Sequence, residues 1–482
     1  MRTLFHLFLF WLPLAVAADP GNSLPDIGDR SQRLFDAQQE AAIGAEFYRQ
    51  LRRERRLLED LPALRYLDSL GMRLVSVSDE PDGRFHFFLV RDASINAFAV
   101  PGGYIGVHTG LFTAADDESE LAAVLAHEIA HITQHHLARA YDKADRLSIP
   151  ALAAVLAAVL VGTQNGEAGQ AILMGTQAGA IQQQINYTRS NESEADHLGM
   201  QILLRAGFDP RGMPRFFDRL QRQSRLYGAG PPPLLRTHPV TTERIADALA
   251  RIPADLEHSK PRRDSLRFHL VKARFEALHA APDLARPERF ETTSTRGNDA
   301  IARRYALALA LGREKRYRRA IGILEALREK HPARSLFAYD LARLQREAGD
   351  PDSARTTLDR SLKLLPGDPL LLHERARLAL EAGHPDVALR LLKEPLESSG
   401  TRIGFEIRQA LLETLARAHR AAGEPARAHE TLARRAEEAG DLAAAIAQLE
   451  QALELTRDDT LRSRIQARLH RLRLRQRSAS HH

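Results

Sequence analysis

Hydrophobic and polar residues follow a helical period between residues 116 and 136, which include the stretch "LAAVLAHEIAHITQHH". At 100° per residue, five apolar side chains share one stripe: Leu121, Val124, Leu125, Ile129 and Ile132. Three acidic residues, 116 to 118, precede the stripe and favour a helix start there, because carboxylates complement the helix dipole. The pattern therefore predicts a helix over this stretch.

The pattern changes to that of β-strands in the preceding segment, "RFHFFLVRDASINAFAVPGGYIGVHTGLF", residues 84 to 112. The segment is rich in β-branched and aromatic residues and is broken by Pro101-Gly102-Gly103, so it predicts two or three strands with a tight turn. Helical patterns run from residue 31 to 78 before it and to about residue 250 after it. The first half of the chain is therefore predicted to be mainly α with a small β-sheet.

A second apolar run, "LSIPALAAVLAAVLVG", covers residues 147 to 162. It falls short of the roughly 20 residues that a membrane span needs, and Pro150 interrupts it. A buried or interfacial helix is the favoured interpretation. The segment "AILMGTQAGAIQQQINY" then resumes a helical pattern, which predicts a helical hairpin that covers a cleft or touches lipid.

The last 200 residues carry an internal repeat in which three segments begin 34 residues apart, at residues 315, 349 and 383. Two small or apolar positions keep this register: Ala320, Ala354 and Ala388, and Leu324, Leu358 and Leu392. A 34-residue helix–turn–helix period resembles the tetratricopeptide repeat, in which stacking buries faces that no single unit could bury. Weaker copies begin out of period at Gly423 and Gly440. The alternative is a helical bundle with coincidental spacing.

The amino terminus, "MRTLFHLFLFWLPLAVAADP", has the layout of a secretory signal peptide over residues 1 to 18. A membrane anchor is the alternative, but the apolar run is short and small residues follow it. Residues 19 to 255 are predicted as one domain and 265 to 475 as the repeat domain, joined by "RIPADLEHSKPRRDS". The net charge of +6 over 482 residues is too modest for a nucleic-acid binder. The chain has no cysteine, which excludes disulfides and thiol chemistry.

The helix predicted over residues 121 to 136 also carries candidate metal ligands. His127 and His131 lie one turn apart, so both imidazoles can reach one ion, and Glu128 lies beside them. This is the H-E-x-x-H pattern of metallopeptidases, which is short enough to arise by chance. The same helix is expected to end with His135 and His136 in solvent.

Zinc needs a third protein ligand and an open position. A histidine ten residues after the first would complete one known arrangement, but Leu137 stands there. The segment "SNESEADHLGMQILLRAGFDP", residues 190 to 210, predicts a helix whose buried side carries Glu192 and Asp196, with Glu194 pointing away. Buried carboxylates need partners, and a metal for Glu192 and a metal-bound histidine for Asp196 would supply them. The alternative is that Glu192 caps the helix and Asp196 pairs with Arg189 or Arg205.

The motifs "NAFAVPGG", "HEIAH", "NESEAD", "AGFDP" and "LLRTHP", in this order, make the chain similar to the M48 family of zinc peptidases. The resemblance implies a zincin (gluzincin) fold and one Zn²⁺ per chain. It further implies that His127, His131 and Glu192 are the zinc ligands and that Glu128 is the catalytic base. The family residue that matches Asp196 is sometimes assigned as a proton donor, and we expect it to orient a ligand here.

The resemblance also assigns a role to His238, in "RTHPVTTER". In the family the matching histidine lies on a loop near the metal and can occupy its open position, which implies a regulatory residue that keeps the peptidase shut. From the residues alone, His238 is only a histidine before a proline. Arg244 is a weaker candidate for stabilising the tetrahedral intermediate.

The function that the resemblance implies is a periplasmic zinc endopeptidase for misfolded or stalled outer-membrane proteins. The segment "NAFAV" would form an edge strand that pairs with an extended substrate. The repeat array would contact the machinery that assembles β-barrels, with a peripheral contact to the outer membrane. The alternative is a chaperone or docking factor in which proteolysis is secondary.

Overall fold

The computed structural model describes residues 37–141, 148–160, 189–226, 232–257, 264–291, 297–397 and 403–480. The predicted signal peptide and the second arm of the predicted hairpin, residues 171 to 187, lie outside these ranges. The described chain is mostly helical with one small sheet, which confirms the predicted fold class. The boundaries predicted for the two domains stay a prediction.

The N-terminal region, residues 37–257, contains all the described strands. Its elements, in chain order, are α1 (Ala37–Arg53), α2 (Leu61–Val75), β1 (His86–Val90), β2 (Ala97–Val100), β3 (Tyr104–His108), α3 (Thr109–Ala114), α4 (Glu118–Thr133), α5 (His136–Tyr141), α6 (Ile149–Leu160), α7 (Arg189–Arg205), α8 (Gly212–Leu226), α9 (Pro233–Thr237), α10 (Thr242–Ala250) and α11 (Ala254–Glu257).

The strands form a three-stranded sheet in the order β1-β3-β2. Strand β1 pairs with β3 in parallel, and β2 pairs with β3 antiparallel, with Ala97 opposite Val107 and Val100 opposite Tyr104. The turn between β2 and β3 requires glycine, because Gly103 has φ of 84° and a Cβ there would lie 1.8 Å from a backbone oxygen. The strand order places β2 at one edge of the sheet, as the sequence predicted.

Helix α4 packs against β2 on one side and against α2, α7 and α8 on others. Every residue in it except Ile132 is buried, so the helix is enclosed on all sides and not only along its apolar stripe. Its N-cap is Asp117, whose side chain accepts a hydrogen bond from the Glu120 N–H. A central helix that carries polar residues must supply each of them with a partner.

Helix α6 confirms the prediction of a buried helix for the apolar run. Leu152, Leu156 and Leu160 are at most 2% exposed and join Phe47 and Tyr48 of α1 in one core cluster. Among the described residues, no helix combines the length and the apolar character that crossing a bilayer requires.

The repeat array, α12 to α22, covers residues 266–480. Its helices are α12 (Leu266–Leu278), α13 (Asn298–Arg313), α14 (Tyr317–Lys330), α15 (Ser335–Glu347), α16 (Pro351–Leu364), α17 (Pro369–Glu381), α18 (Pro385–Glu397), α19 (Phe405–Ala421), α20 (Pro425–Glu438), α21 (Leu442–Leu455) and α22 (Asp459–Ser480). Successive helices contact each other as helical hairpins, which confirms the tetratricopeptide-like array.

The 34-residue register has a direct structural counterpart. The turns between successive helices contain a residue with positive φ every 34 positions: Lys315, Gly349 and Gly383, with φ of 60°, 86° and 77°. The alanines and leucines that follow at fixed offsets are at most 1% exposed: Ala320, Ala354, Ala388, Leu324, Leu358 and Leu392. The spacing changes beyond residue 400, where α19 is 17 residues long, yet Ala428 and Ala445 are again fully buried.

The array packs directly against the N-terminal region through buried polar contacts. Arg274 of α12 lies 2.7 Å from Asp60, which caps α2, and 2.8 Å from Asp340 of α15. Farther along the array, the Tyr48 hydroxyl of α1 donates a 2.5 Å hydrogen bond to Glu406 Oε1 of α19. The contacts join the two parts of the chain at both an early and a late repeat.

Candidate metal centre

Helix α4 places two imidazoles on one side, one turn apart. The Nε2 atoms of His127 and His131 lie 3.0 Å from each other, and both residues are at most 5% exposed. Two imidazole nitrogens that face each other form an electron-rich pocket, which favours a cation between them.

Helix α7 brings a carboxylate to this pair. Gly199 lets α7 approach α4 closely, since a Cβ at this position would lie 3.1 Å from the His127 backbone nitrogen. Two turns earlier on α7, Glu192 is 3% exposed. Its Oε2 lies 3.6 Å from His127 Nε2, and its Oε1 lies 3.5 Å from His131 Nε2. The structure thus brings together the three side chains that the sequence proposed as metal ligands.

His238 joins the same cluster from the end of α9. Its Nδ1 lies 2.9 Å from Glu192 Oε1 and 3.4 Å from His127 Nε2, and the residue is 4% exposed. One ligand atom from each of the four side chains lies within 4.8 Å of the others. Ligands at the usual zinc distances form a tetrahedron with edges of about 3.3 Å, and the five separations given above, 2.9 to 3.6 Å, lie close to that value. The residues present therefore fit a divalent metal ion.

Asp196, one turn after Glu192 on α7, contacts the other side of His127. Its Oδ1 lies 3.0 Å from His127 Nδ1, and both of its oxygens accept hydrogen bonds from Arg244. The partner is neither Arg189 nor Arg205, the two arginines that the sequence offered as an alternative. Burial works against ionisation, but His127 and Arg244 lower the pKa of Asp196 to about 2. The geometry fits a carboxylate that orients a ligating imidazole.

Arg244 of α10 is the residue whose importance the sequence understated. Its Nη1 lies 2.8 Å from Glu192 Oε2, and its guanidinium lies over the Phe217 ring at 4.8 Å. The side chain contacts Glu192 and Asp196 together and therefore fixes these two carboxylates of α7 relative to α10. The motif "TTER" offered no signal for this, because the contact joins residues 48 positions apart.

Glu128 lies beside the cluster and is fully buried. Its Oε1 lies 3.8 Å from His238 Nε2, and neither oxygen accepts a hydrogen bond that meets normal geometry from a described residue. Burial raises the pKa of Glu128, although the nearby histidines oppose the shift. A raised carboxyl pKa suits a residue that takes up a proton during a reaction near neutral pH.

Three further groups of the cluster, His131, His238 and Glu192, have shifted pKa values with identifiable causes. Burial and the neighbouring imidazoles hold the pKa of His131 well below its ordinary value, which keeps the ring neutral and able to bind a metal. For His238, burial is outweighed by the Glu192 and Glu128 carboxylates, so its pKa is raised. For Glu192, burial is outweighed by His238, His127 and Arg244, so its pKa is lowered.

His135 and His136 do not lie in solvent at the end of α4, so that expectation was wrong. The helix ends at Thr133, and His135 has a positive φ of 50°, which turns the chain back towards the cluster. His136 is fully buried, with its Nδ1 2.8 Å from His131 Nδ1. His135 Nδ1 lies 3.1 Å from Glu40 Oε1. Both imidazoles have protein partners.

Strand β2 runs past this cluster, with α4 packed against it. Its edge away from β3, with which no described strand pairs, is approached at one end by two other elements. The Leu234 N–H of α9 donates to the Ile95 carbonyl, and the Asn96 side chain donates to the Leu160 carbonyl at the end of α6. The start of the edge strand is thereby tied to the segment that carries His238.

Two histidines from an H-E-x-x-H helix, a glutamate from a second helix and an adjacent edge strand define a metallopeptidase fold of the zincin type. Comparison with known proteins gives the particular family. The sequence model of peptidase family M48 matches residues 63–252, and the model of a tetratricopeptide repeat matches residues 313–378. The chain belongs to peptidase family M48.

The chain is similar to several curated bacterial proteins. It is 37% identical over 345 residues to the beta-barrel assembly-enhancing protease of Yersinia pestis, covering 70% of each chain. It is 42% identical to the protein of the same name from Escherichia coli, over 53% of this chain and 52% of that one. A relative from Vibrio cholerae is 43% identical over 56% of this chain and 55% of its own. The chain thus matches about half the length of the Vibrio and Escherichia relatives.

Proposed function

We propose that this protein is a zinc-dependent endopeptidase. The observation that carries the proposal is the convergence of His127, His131 and Glu192 from two helices, with the buried Glu128 next to them. The three side chains would hold the ion. Zinc is favoured over magnesium or calcium because imidazole nitrogens dominate the donor set.

Each protein group has a defined task in peptide hydrolysis. A bound zinc ion would supply Lewis-acid chemistry, polarising the peptide carbonyl and lowering the pKa of a water molecule. Glu128 takes the proton of the attacking water on its carboxylate and then delivers it to the leaving amine. Its burial and raised pKa favour the protonated Glu128 carboxyl that exists between these two proton transfers. Asp196 holds the His127 ring in place, and Arg244 holds Asp196.

His238 is proposed as a regulatory residue. Zinc with four protein ligands is closed, whereas a catalytic site keeps one position open. The His238 Nδ1 atom lies among the other ligand atoms and would fill that position in the resting state. Since His238 directly follows the short helix α9, a displacement of this segment would open the site.

The substrates are proposed to be extended polypeptides. A free strand edge pairs with any main chain in β conformation, so β2 would read backbone rather than sequence. The names of the Yersinia and Escherichia relatives point to β-barrel assembly, and we extend this to stalled or misfolded outer-membrane proteins in the periplasm. The repeat array is a protein-interaction fold and would hold these clients or the assembly machinery.

The activity is tested by Glu128→Gln. This change should keep the zinc content of the purified protein and lower its cleavage of casein by roughly 10²- to 10⁴-fold, because only the proton acceptor is lost. Glu243→Gln, on the exposed surface of α10, is the matched control and should cleave like the wild type. Full activity of Glu128→Gln would contradict the assigned role.

The role of His238 is tested by His238→Ala. Removing the imidazole should raise casein cleavage severalfold while zinc remains bound, because three protein ligands stay in place. Unchanged or lower cleavage with zinc retained would contradict a regulatory role for His238.

The second candidate function is that of a chaperone or docking factor, which the size of the repeat array favours. Complementation of a strain that lacks the protein separates the two functions. If Glu128→Gln restores outer-membrane integrity as fully as the wild type, proteolysis is secondary to docking in that process. Failure of the variant to restore it supports the peptidase.

A further inference from the structure

His131 has a second contact that the hydrolytic mechanism does not use. On the side opposite the metal ligands, its Nδ1 lies 2.8 Å from His136 Nδ1. His136 Nε2 in turn lies 3.0 Å from Glu194 Oε2 on α7. His136 is fully buried, whereas the Glu194 side chain is 41% exposed and lies 3.4 Å from Arg139. A chain of three side chains therefore leads from the candidate ligand to the surface of α7.

The proton positions in this chain are fixed once a metal is bound. A metal-binding His131 Nε2 carries no proton, so a neutral ring must carry its proton on Nδ1 and donate it. His136 Nδ1 then has to accept, which leaves the His136 proton on Nε2, where it is donated to the Glu194 carboxylate. Each N–H in this chain then has an acceptor, and the negative charge of Glu194 lies at its outer end.

The two candidate histidine ligands are thus held in parallel ways. His127 contacts Asp196 through its Nδ1, and His131 contacts Glu194 through His136. Both carboxylates come from α7, which also supplies Glu192. Since α4 and α7 carry all three ligands, each contact fixes a ring and also fixes one helix against the other.

We propose that His136 is a positioning residue that holds the His131 ring in its metal-binding orientation and tautomer, with Glu194 as its anchor. The inference rests on the proposed metal site and adds the residues that tune it. Loss of such an outer contact typically weakens metal binding 10- to 100-fold.

Two substitutions test the two nitrogens of the His136 ring separately. The amide of His136→Asn occupies the place of Nδ1 and can still accept from His131, whereas the amide of His136→Gln occupies the place of Nε2 and can still reach Glu194. We expect the zinc dissociation constant, measured by competition with a chromogenic chelator, to rise at least tenfold in His136→Gln. His136→Asn should lie closer to the wild type, and Glu194→Gln should lie between the wild type and His136→Gln.

The control is His197→Gln, which changes an exposed histidine of α7 and should leave zinc affinity unchanged. Thermal unfolding of the metal-free proteins reports any purely structural effect. Zinc affinity in His136→Gln equal to that of the wild type would overturn the proposal. Equal weakening in the Asn and Gln variants, with equal loss of metal-free stability, would also overturn it. A wild-type protein that binds no zinc would instead refute the proposed function itself.

Discussion

Helix α4 and the helices of the repeat array are both buried, but different chemistry stabilises them. In the array, alanines and leucines at fixed offsets fill the contacts between neighbours, and each helix depends mainly on the next one along the chain. In α4, the buried histidines have partners on α7 and at the end of α9, and the buried Glu120 accepts a hydrogen bond from Arg219 of α8. The comparison shows that local repetition builds the array, whereas distant contacts build the site.

The strongest test of this contrast is the buried charge cluster in which Arg274 of the array contacts Asp60 and Asp340. Replacing Arg274 by Met should lower the free energy of unfolding by about 3–5 kcal/mol, because Asp60 and Asp340 would stay buried without their cation. Chemical denaturation measures the change. Arg390→Met, which removes an exposed arginine of α18, is the control and should cost less than about 1 kcal/mol. A small loss in Arg274→Met would show that the junction does not depend on charge.

The second test concerns Glu406, at the contact between α19 and α1. Burial raises its pKa to about 7, while Tyr48, Arg52 and Arg435 act in the opposite direction and Glu59 adds to the rise. The native state therefore holds a proton that the unfolded chain releases above its ordinary pKa of 4.5. The free energy of unfolding should accordingly fall as pH rises from 4.5 through 7, by on the order of 3 kcal/mol, and then level off.

Glu406→Gln should remove this part of the pH dependence. Denaturant unfolding at pH 5 and pH 8 measures it as the difference between variant and wild type, in which the pH dependence of the metal site cancels. Glu413→Gln, on the same helix but half-exposed, should keep the wild-type slope. An unchanged slope in Glu406→Gln would assign the pH dependence to other groups.

The smallest effects are expected from two glycines of the array. Gly383→Ala should destabilise by about 1–2 kcal/mol, because its φ of 77° suits glycine although no atom would clash with a new Cβ. Gly322→Ala, within helix α14 and equally free of clashes, should stabilise by about 0.5–1 kcal/mol. Equal effects at the two positions would contradict the role of the turn geometry.

The same contrast explains what the sequence could predict. The buried positions of the repeats were predicted correctly because the 34-residue period is visible in the sequence itself. Each of these alanines packs against helices that are close to it along the chain. The pairing of the H-E-x-x-H helix with Glu192 and Asp196 followed from helical faces and from the resemblance to the M48 family. Those side chains lie on regular helices, where sequence spacing fixes direction.

The errors at the site have two physical origins, a departure from regular helix and a contact between residues that are distant in sequence. His136 was assigned to solvent because the helix was extended through it, but the left-handed conformation of His135 turns His136 back onto His131. The pairing of Arg244 with Asp196 was missed because it links α10 to α7 across 48 residues. Neither a single unusual φ nor a distant salt bridge leaves a periodic signal.

The most direct test of the account is the zinc content of Glu192→Ala beside that of the wild type. Both proteins are purified with zinc, dialysed against a metal-free buffer and analysed by atomic emission, with circular dichroism to confirm folding. The account predicts close to one zinc ion per wild-type chain and a large loss of zinc in the folded variant. Equal zinc in both proteins, or none in the wild type, would contradict the convergence of α4 and α7 on one metal ion.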